Sequence, residues 1–228
     1  MNRGMSDKPE QQISRYGRTL RDTFMTSYLV MFGYTCITLV EALRTSSTQV
    51  RHIMNIETAV SLVAGIVYGM FIERAKQPNF DLKDIMPLRY LDWIVTTPLI
   101  ILGIVLFYTG KGQPVNWRLY AGLVGLDWAM LAAGYAGELG YTDRWLGLGL
   151  GFVAFGALLW LLWTTVVGFG RPMDVFWIFA VIWSFYGVAY MLEEETKNIA
   201  YNILDVISKA LFGVALWMYF GRVLAFGG

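Results

Sequence analysis

The sequence predicts an all-α membrane protein, a bundle of seven transmembrane helices, on the basis of three observations. First, 56% of the 228 residues are hydrophobic and only 15% are charged. A water-soluble domain of this length cannot bury so many apolar side chains, so they require lipid as a second solvent. Second, the apolar residues form seven windows of roughly the 20 residues that cross a bilayer as a helix. Third, only short polar segments separate these windows.

The seven windows follow one another along the chain with clear boundaries. They are residues 23–43, 54–72, 85–108, 119–137, 145–169, 175–192 and 199–220. The breaks between them are rich in Gly, Pro or charge and read, in order, RTSSTQVR, ERAKQPNFDLK, TGKGQPVNWR, GELGYTDR, GFGRPMD and EEETKN. No break is long enough to form a second domain.

The two ends of the chain are predicted to be tails. Residues 1–22 are polar and charged and lack the apolar core and small-residue cleavage site of a signal peptide. We expect a retained tail there, with a short surface helix near its end. Residues 223–228 form a short C-terminal tail, so the membrane domain spans residues 23–222.

Several classes of function are disfavoured by the composition. The formal net charge of +1 gives no reason to expect nucleic acid as a partner. Cys36 is the single cysteine, and the single histidine, His52, is expected to be a solvated loop residue rather than a metal ligand. The sequence shows no Cys/His cluster, phosphate-binding Gly loop or Ser/His/Asp set. We therefore expect neither an enzyme nor a metal site.

Charged residues inside the windows indicate a functional site. The third window contains Arg89, Asp92 and Thr96, which share one helical face, and the seventh contains Asp205 and Lys209 one turn apart. An ionisable side chain at the membrane centre costs roughly 2.5–3.5 kcal/mol, so such residues face the bundle interior with a partner. The four charges sum to zero, which suits one buried cluster.

Two interpretations of this cluster remain open from the residues alone. In the first, it is a buried salt-bridge network that fixes the register of two helices. In the second, Lys209 acts as a nucleophile toward an aldehyde and forms a Schiff base, whose protonated form has Asp92 and Asp205 as counterions. Trp93, and Trp183 with further aromatics of the sixth window, would then line a pocket, although aromatic packing in an apolar bundle explains each of them singly.

The motifs RYLDWIVTTPL, residues 89–99, and LDVISK, residues 204–209, resemble the third- and seventh-helix signatures of the microbial rhodopsins. This family of retinal proteins includes bacteriorhodopsin and proteorhodopsin, and the resemblance covers residues 23 to 222. It implies an interior pocket for all-trans retinal, bound to Lys209 as a protonated Schiff base. It also implies that Asp92 is the primary counterion and proton acceptor and that Asp205 is the second counterion carboxylate.

The resemblance implies roles for further residues. Arg89 matches the arginine that moves toward the outer half during proton release, and Thr96 matches the threonine hydrogen-bonded to the acceptor. The residues that match retinal-pocket positions are Trp93, Thr97, Met130, Gly151, Phe155, Trp183, Tyr186 and Tyr190. Asp127 lies in the fourth-helix segment near the pocket.

Three departures from the family pattern bear on function. Many proton pumps of the family carry a carboxylate donor eleven residues after the acceptor, where this chain has Gly103, giving an Asp-Thr-Gly third-helix motif. Proteorhodopsins have a second-helix histidine near the acceptor, whose place Met70 is expected to take. Gly187 stands where a kink-forming proline is common in the sixth helix.

The resemblance implies a light-driven outward proton pump. Reprotonation from the inside would use water reaching Gly103 or a relay from Glu57, although a first-turn glutamate stabilised by the helix dipole is the preferred interpretation of Glu57. The alternative function is a sensory photoreceptor with a slow photocycle that signals to a transducer. A light-gated channel is third, because it would need more polar residues along the second and seventh windows.

The expected surroundings are those of the family. We expect a multi-pass protein of the cell membrane, with the lipid bilayer and protons as partners, the N-terminus outside and a homo-oligomer, a trimer or pentamer. In this orientation basic residues are more numerous outside than inside, which opposes the positive-inside rule. The motifs are more specific than the charge count, so the family orientation is retained.

Overall fold

The computed structural model describes residues 7–77, 80–109, 114–168, 173–211, 213–214 and 218, with side chains from residue 17 onward. These described residues form seven α-helices, in order: α1 Asp7–Arg44, α2 Thr48–Ala75, α3 Met86–Thr109, α4 Trp117–Glu138, α5 Arg144–Leu162, α6 Asp174–Tyr190 and α7 Glu194–Asp205. A 3-10 turn, Leu82–Asp84, precedes α3, and π-helical turns, Trp163–Val167 and Val206–Leu211, extend α5 and α7.

The helices form a closed bundle, as predicted. Consecutive helices pack against each other, and α7 returns to pack against α1. In the described part of the chain, five helices are long and apolar enough to cross a membrane, and α6 is a shorter apolar helix. Large apolar side chains such as Leu29, Val153 and Trp160 are 60–72% exposed on the outside of the bundle. Their exposure fits a surface in contact with lipid, so this is a multi-pass membrane protein.

Polar side chains set the start of several helices. Ser47 Oγ accepts a hydrogen bond from Val50 N at the start of α2, and Asn116 Oδ1 accepts one from Leu119 N at the start of α4. Asp143 caps α5 in the same way. These side chains satisfy amide groups that the first helical turn leaves without backbone partners.

Pro98 lies inside α3 without breaking the helix. Its ring nitrogen has no hydrogen to donate to the carbonyl of Ile94, four residues earlier. The indole of Trp128 in α4 donates to that carbonyl instead, at 3.1 Å. The interhelical bond replaces the missing backbone bond, which a membrane helix requires.

The structure changes the predicted boundaries at the N-terminal end. Helix α1 begins at Asp7, so residues 7–22 of the predicted tail continue the first helix. Leu20 packs with Phe24 in an apolar cluster at that end of the bundle, which explains why the helix extends beyond the predicted window. The predicted C-terminal tail, residues 223–228, lies outside the described residues.

The prediction for Met70 is wrong. Its side chain is 44% exposed and lines a surface groove with Met25, Tyr28 and Glu73. Tyr68, two residues earlier, is fully buried. Because residues two apart on a helix point in nearly opposite directions, Met70 faces outward where Tyr68 faces the core.

Candidate functional site

The site is a largely apolar pocket in the middle of the bundle, between α3, α4, α5, α6 and the turn that follows α7. The nine residues predicted to surround the cofactor all line this one pocket: Trp93, Thr97, Met130, Gly151, Phe155, Trp183, Tyr186, Tyr190 and Lys209. Their rings are arranged edge to face or stacked, with Trp93 and Tyr186 centroids 5.5 Å apart and Phe155 and Trp183 centroids 6.2 Å apart. Rings held this way form rigid walls.

Gly187 shapes one wall of the pocket. Its helix, α6, is continuous there, and a Cβ at this position would lie 2.5 Å from the ring of Phe152 in α5. Any side chain at position 187 would therefore have to displace the Phe152 ring from its present place.

The four charged residues predicted to form a cluster meet at Lys209. Its Nζ makes a short ion pair with Asp92 Oδ2 and lies 3.4 Å from Asp205 Oδ1. Arg89 Nη1 lies 3.3 Å from Asp205 Oδ2. All four side chains are only 1–2% exposed. Two positive and two negative charges thus compensate each other in a buried site, as their burial requires.

Both carboxylate oxygens of Asp205 accept hydrogen bonds. Tyr186 and Trp93 donate to Oδ1 at 2.8 and 3.2 Å. Tyr68 donates to Oδ2 at 2.8 Å and shares this oxygen with Arg89. A carboxylate with this many donors is strongly stabilised in its charged form. Asp205 therefore acts as a fixed negative charge.

Asp92 is bound much less completely. Its Oδ2 accepts from Lys209, whereas Oδ1 is buried without a hydrogen-bond partner among the described residues. The resemblance implied that Thr96 binds the acceptor, and Thr96 Oγ1 does donate to Asp92, but to its backbone carbonyl at 2.9 Å. One oxygen of the Asp92 carboxylate therefore keeps its lone pairs available.

Arg89 links the cluster to the polar end of α7. Its Nη2 donates to Asn202 Oδ1 at 2.7 Å and to Asn198 Oδ1 at 3.3 Å. The guanidinium also lies 4.9 Å from the ring centre of Phe71 and 5.4 Å from that of Tyr201. Hydrogen bonds and ring faces together hold the arginine between the charged cluster and the loop before α7.

A second buried lysine lies outside the pocket. Lys197, in the first turns of α7, is 3% exposed and binds Glu138 of α4, with Nζ 2.7 Å from Oε2, and Glu194 at 2.5 Å. Lys197 does not line the pocket, whereas Lys209 does. Both lysines are paired with carboxylates, but of the two only Lys209 also lines the apolar cavity.

Comparison with known proteins agrees with this geometry. The family described as "Bacteriorhodopsin-like protein" matches residues 19–222. The chain belongs to this family. The crystal structure of viral rhodopsin OLPVRII is 32% identical, with a TM-score of 0.84 over 90% of this chain and 99% of that one.

Two curated relatives are more distant. The green-light absorbing proteorhodopsin of Gamma-proteobacterium EBAC31A08 is 26% identical over 70% of this chain and 71% of its own length. Bacteriorhodopsin of Halobacterium salinarum is 28% identical over 56% of this chain and 54% of its own length. These matches support the interpretation of the bundle as a microbial rhodopsin with retinal as its cofactor.

The residues of this rhodopsin fit that cofactor. Retinal is a long apolar aldehyde that the family binds through a Schiff base on a lysine, and the pocket offers aromatic walls and one amine. Asp92, whose Oδ1 has no hydrogen-bond partner among the described residues, lies beside that amine, where a cationic link would need compensating charge. Apolar lining, one lysine and adjacent carboxylates together suit a protonated retinal link.

Sequence reasoning missed several residues of the site. Asn198 and Asn202 precede Asp205 by seven and three residues, so they share its face of α7, and this spacing was a readable signal. Tyr68 gave no signal, because a tyrosine among apolar residues is ordinary in a membrane helix. The π-helical turn that carries Lys209 was also unexpected, although such turns are frequent at functional sites.

The Lys197–Glu138 pair gives a testable prediction about stability. Lys197→Met leaves the Glu138 carboxylate buried without its cation, and we expect a loss of about 3 kcal/mol. Thermal bleaching of the reconstituted pigment measures the effect. The double variant Lys197→Met/Glu138→Gln removes both charges and should recover most of the stability. Equal stability of the single variant and the unmodified protein would contradict a structural role for this pair.

Proposed function

We propose that this rhodopsin is a light-driven outward proton pump, with retinal attached to Nζ of Lys209. The observation that carries the proposal is the asymmetry of the two carboxylates beside that nitrogen. Asp205 already accepts hydrogen bonds on both oxygens, whereas Asp92 has one oxygen free among the described residues. Asp92 can therefore accept a proton without breaking other bonds, which favours transport over a purely structural salt bridge.

The proposed mechanism follows from these contacts. Bound retinal supplies light absorption and an isomerisation that weakens the hold of Lys209 Nζ on its proton. Asp92 accepts this proton at short range, and Asp205 stays ionised because Tyr68, Tyr186 and Arg89 hold it. Asp92 then gives up this proton, its O–H bond breaks and the carboxylate is restored. The proton leaves past Arg89, Asn198 and Asn202, which lie toward the loop before α7.

A light-induced pH measurement tests the proposal. Cells that express the protein with added retinal should acidify their medium on illumination, and a protonophore should abolish the signal. Alkalinisation of the medium would indicate inward transport and contradict the proposed direction. A coloured protein that gives no pH change would contradict pumping and favour the sensory photoreceptor.

The proposed setting of the pump is the cell membrane, with the N-terminus outside. This orientation places the loop before α7 outside, on the same side as Arg89 and its asparagines, as outward release requires. We also propose a homo-oligomer, a trimer or pentamer. Protease accessibility of an N-terminal tag on intact cells tests the orientation, and native mass spectrometry tests the oligomeric state.

A further inference from the structure

We propose that Glu57 of α2 is the internal proton donor of this pump, and that it occupies space that Gly103 leaves open in α3. The inference rests on the proposed pump function. It names the group that returns a proton to Lys209 after each transfer to Asp92. The observations are the burial of Glu57, the two glycines that accommodate its carboxyl group and its lack of a cationic partner among the described residues.

Glu57 lies deep in the bundle, and its interpretation as a first-turn glutamate is wrong. Helix α2 begins at Thr48, so Glu57 lies nine residues, roughly 14 Å, along the helix. Its side chain is only 2% exposed. At this depth the helix dipole of the first turn no longer explains a carboxylate. An acidic side chain buried in a membrane bundle indicates a function.

Gly103 makes room for this carboxyl group. A Cβ at Gly103 would have Glu57 Oε1 and Ile56 Cγ2 as its nearest neighbours, both at 3.9 Å. A Cβ alone would fit there in ordinary contact, whereas a longer side chain at position 103 would share this space with the Glu57 carboxyl group. The glutamate of α2 thus places its acid where a carboxylate on α3, eleven residues after Asp92, would place its own.

Gly213 accommodates Glu57 on the side of α7. A Cβ on Gly213 would overlap both the Glu57 carboxyl group and the Tyr34 hydroxyl, so a side chain here would force both groups to move. Gly213 follows Lys209 by four residues, about one helical turn. The acid thus lies against the segment that carries the lysine, and a proton passing between them would travel along this turn through bridging water.

The surroundings of Glu57 favour the neutral acid at rest. In the described part of the chain no Lys or Arg forms an ion pair with it, and burying an unpaired carboxylate in an apolar bundle is costly. Among the described residues, the titratable group facing it is the Tyr34 hydroxyl of α1, whereas α3 and the segment after α7 present Gly103 and Gly213. The hydroxyl can donate to the carboxylate that forms once the proton has left.

Hydroxyl groups fix α1 and α2 around this acid. Thr35 Oγ1 lies 2.9 Å from Ser61 Oγ, and Thr58 Oγ1 lies 2.9 Å from Thr38 Oγ1. These pairs bridge the two helices within one turn of Tyr34 and Glu57. These interhelical hydrogen bonds therefore position the side chains of Glu57 and Tyr34 next to each other.

The proposed step transfers one proton from Glu57 to Lys209. The O–H bond of Glu57 breaks and an N–H bond forms at Nζ of Lys209, so the negative charge moves to the Glu57 carboxylate. Glu57 then takes a proton from the inner solution and returns to the neutral acid. Transfer to Asp92, on the other side of the lysine, is a separate step and does not involve Glu57.

Substitution of the donor tests the inference. In Glu57→Gln, time-resolved absorption should show normal loss of the proton from Lys209 Nζ but a return slowed by about 100-fold, the usual size of a general-acid effect. The return should also become slower with rising pH, because the proton then comes directly from solution. Glu41→Gln is the matched control. Glu41 is a partly exposed carboxylate near the C-terminal end of α1, at the end of the bundle where α2 begins. This variant should leave the rate of proton return to Lys209 unchanged.

Rescue and infrared spectra separate the possible outcomes. Glu57→Ala/Gly103→Glu removes the side chain that fills this space and supplies the acid from α3 instead, so it should restore a fast, pH-independent return. In retinal-free protein, the infrared carbonyl band of a protonated acid should diminish in Glu57→Gln. An unchanged return in Glu57→Gln would overturn the inference while leaving the pump intact. If the unmodified protein never loses the proton from Nζ, the proposed function itself fails.

Discussion

Lys209→Ala is expected to abolish the visible absorption of the reconstituted protein. The substitution removes the only lysine amine that lines the described pocket, and no other nucleophile of that kind can form the retinal link there. The absorption spectrum after addition of all-trans retinal to membranes measures the effect. Because Asp92 and Asp205 would lose their shared cation, the variant needs a folding check by size-exclusion chromatography.

A charge-matched lysine variant provides the control. Lys197→Met/Glu138→Gln removes the other buried lysine together with its carboxylate partner, so the helix end keeps its charge balance. This variant should keep the visible band. If it lost the colour while Lys209→Ala kept it, the retinal link would have to be assigned to Lys197, and the pocket would need another ligand.

Much of the bundle was predictable because lipid places simple demands on a chain. A membrane helix must satisfy its backbone internally and present apolar side chains, so seven apolar windows predict seven helices. The charged cluster was predictable for the same reason. Each ionised side chain inside a window is costly, so Arg89, Asp92, Asp205 and Lys209 stood out from the residues around them.

The cost of burying charge in lipid does not predict the position of residues at the helix ends or the register of a helix. At the ends of the windows charge is ordinary, so the buried pair of Lys197 and Glu138 resembled solvated loop residues. For Glu57, the polar sequence before it predicts a loop, whereas the structure continues α2 through that sequence. For Met70 the register of α2 was the missing information, since a shift of two residues moves a side chain from the core to the surface.

Glu57 also shows why a departure from a family motif needs a structure to interpret it. From sequence, Gly103 indicated only a missing donor and hence a slow photocycle. In the bundle, the same glycine provides space that a carboxyl group from another helix fills. Which helix supplies an acid depends on interhelical packing, and the spacing of residues along one helix cannot reveal it.

Asp92→Asn is expected to remove light-driven acidification almost completely, to below about 1% of the initial rate, because the amide cannot take the proton from Lys209. The pigment should keep its colour, with absorption moved to longer wavelength, since the negative charge nearest the retinal link is lost. Photometry and the pH assay on the same membranes measure both effects. Asp127→Asn makes the same change in a buried carboxyl that binds Thr97 instead of Lys209, and it should keep pumping.

The same variant decides between the two carboxylates of the cluster. Asp205 is the only other carboxylate within 4 Å of Lys209 Nζ among the described residues, at 3.4 Å. If Asp92→Asn still pumped at a normal rate, Asp205 would have to accept the proton despite its bonds to Tyr68, Tyr186 and Trp93. Protonating Asp205 would leave Arg89 without its paired anion in a buried site, at a cost of several kcal/mol. That penalty is the physical reason for expecting Asp92, and not Asp205, to receive the proton.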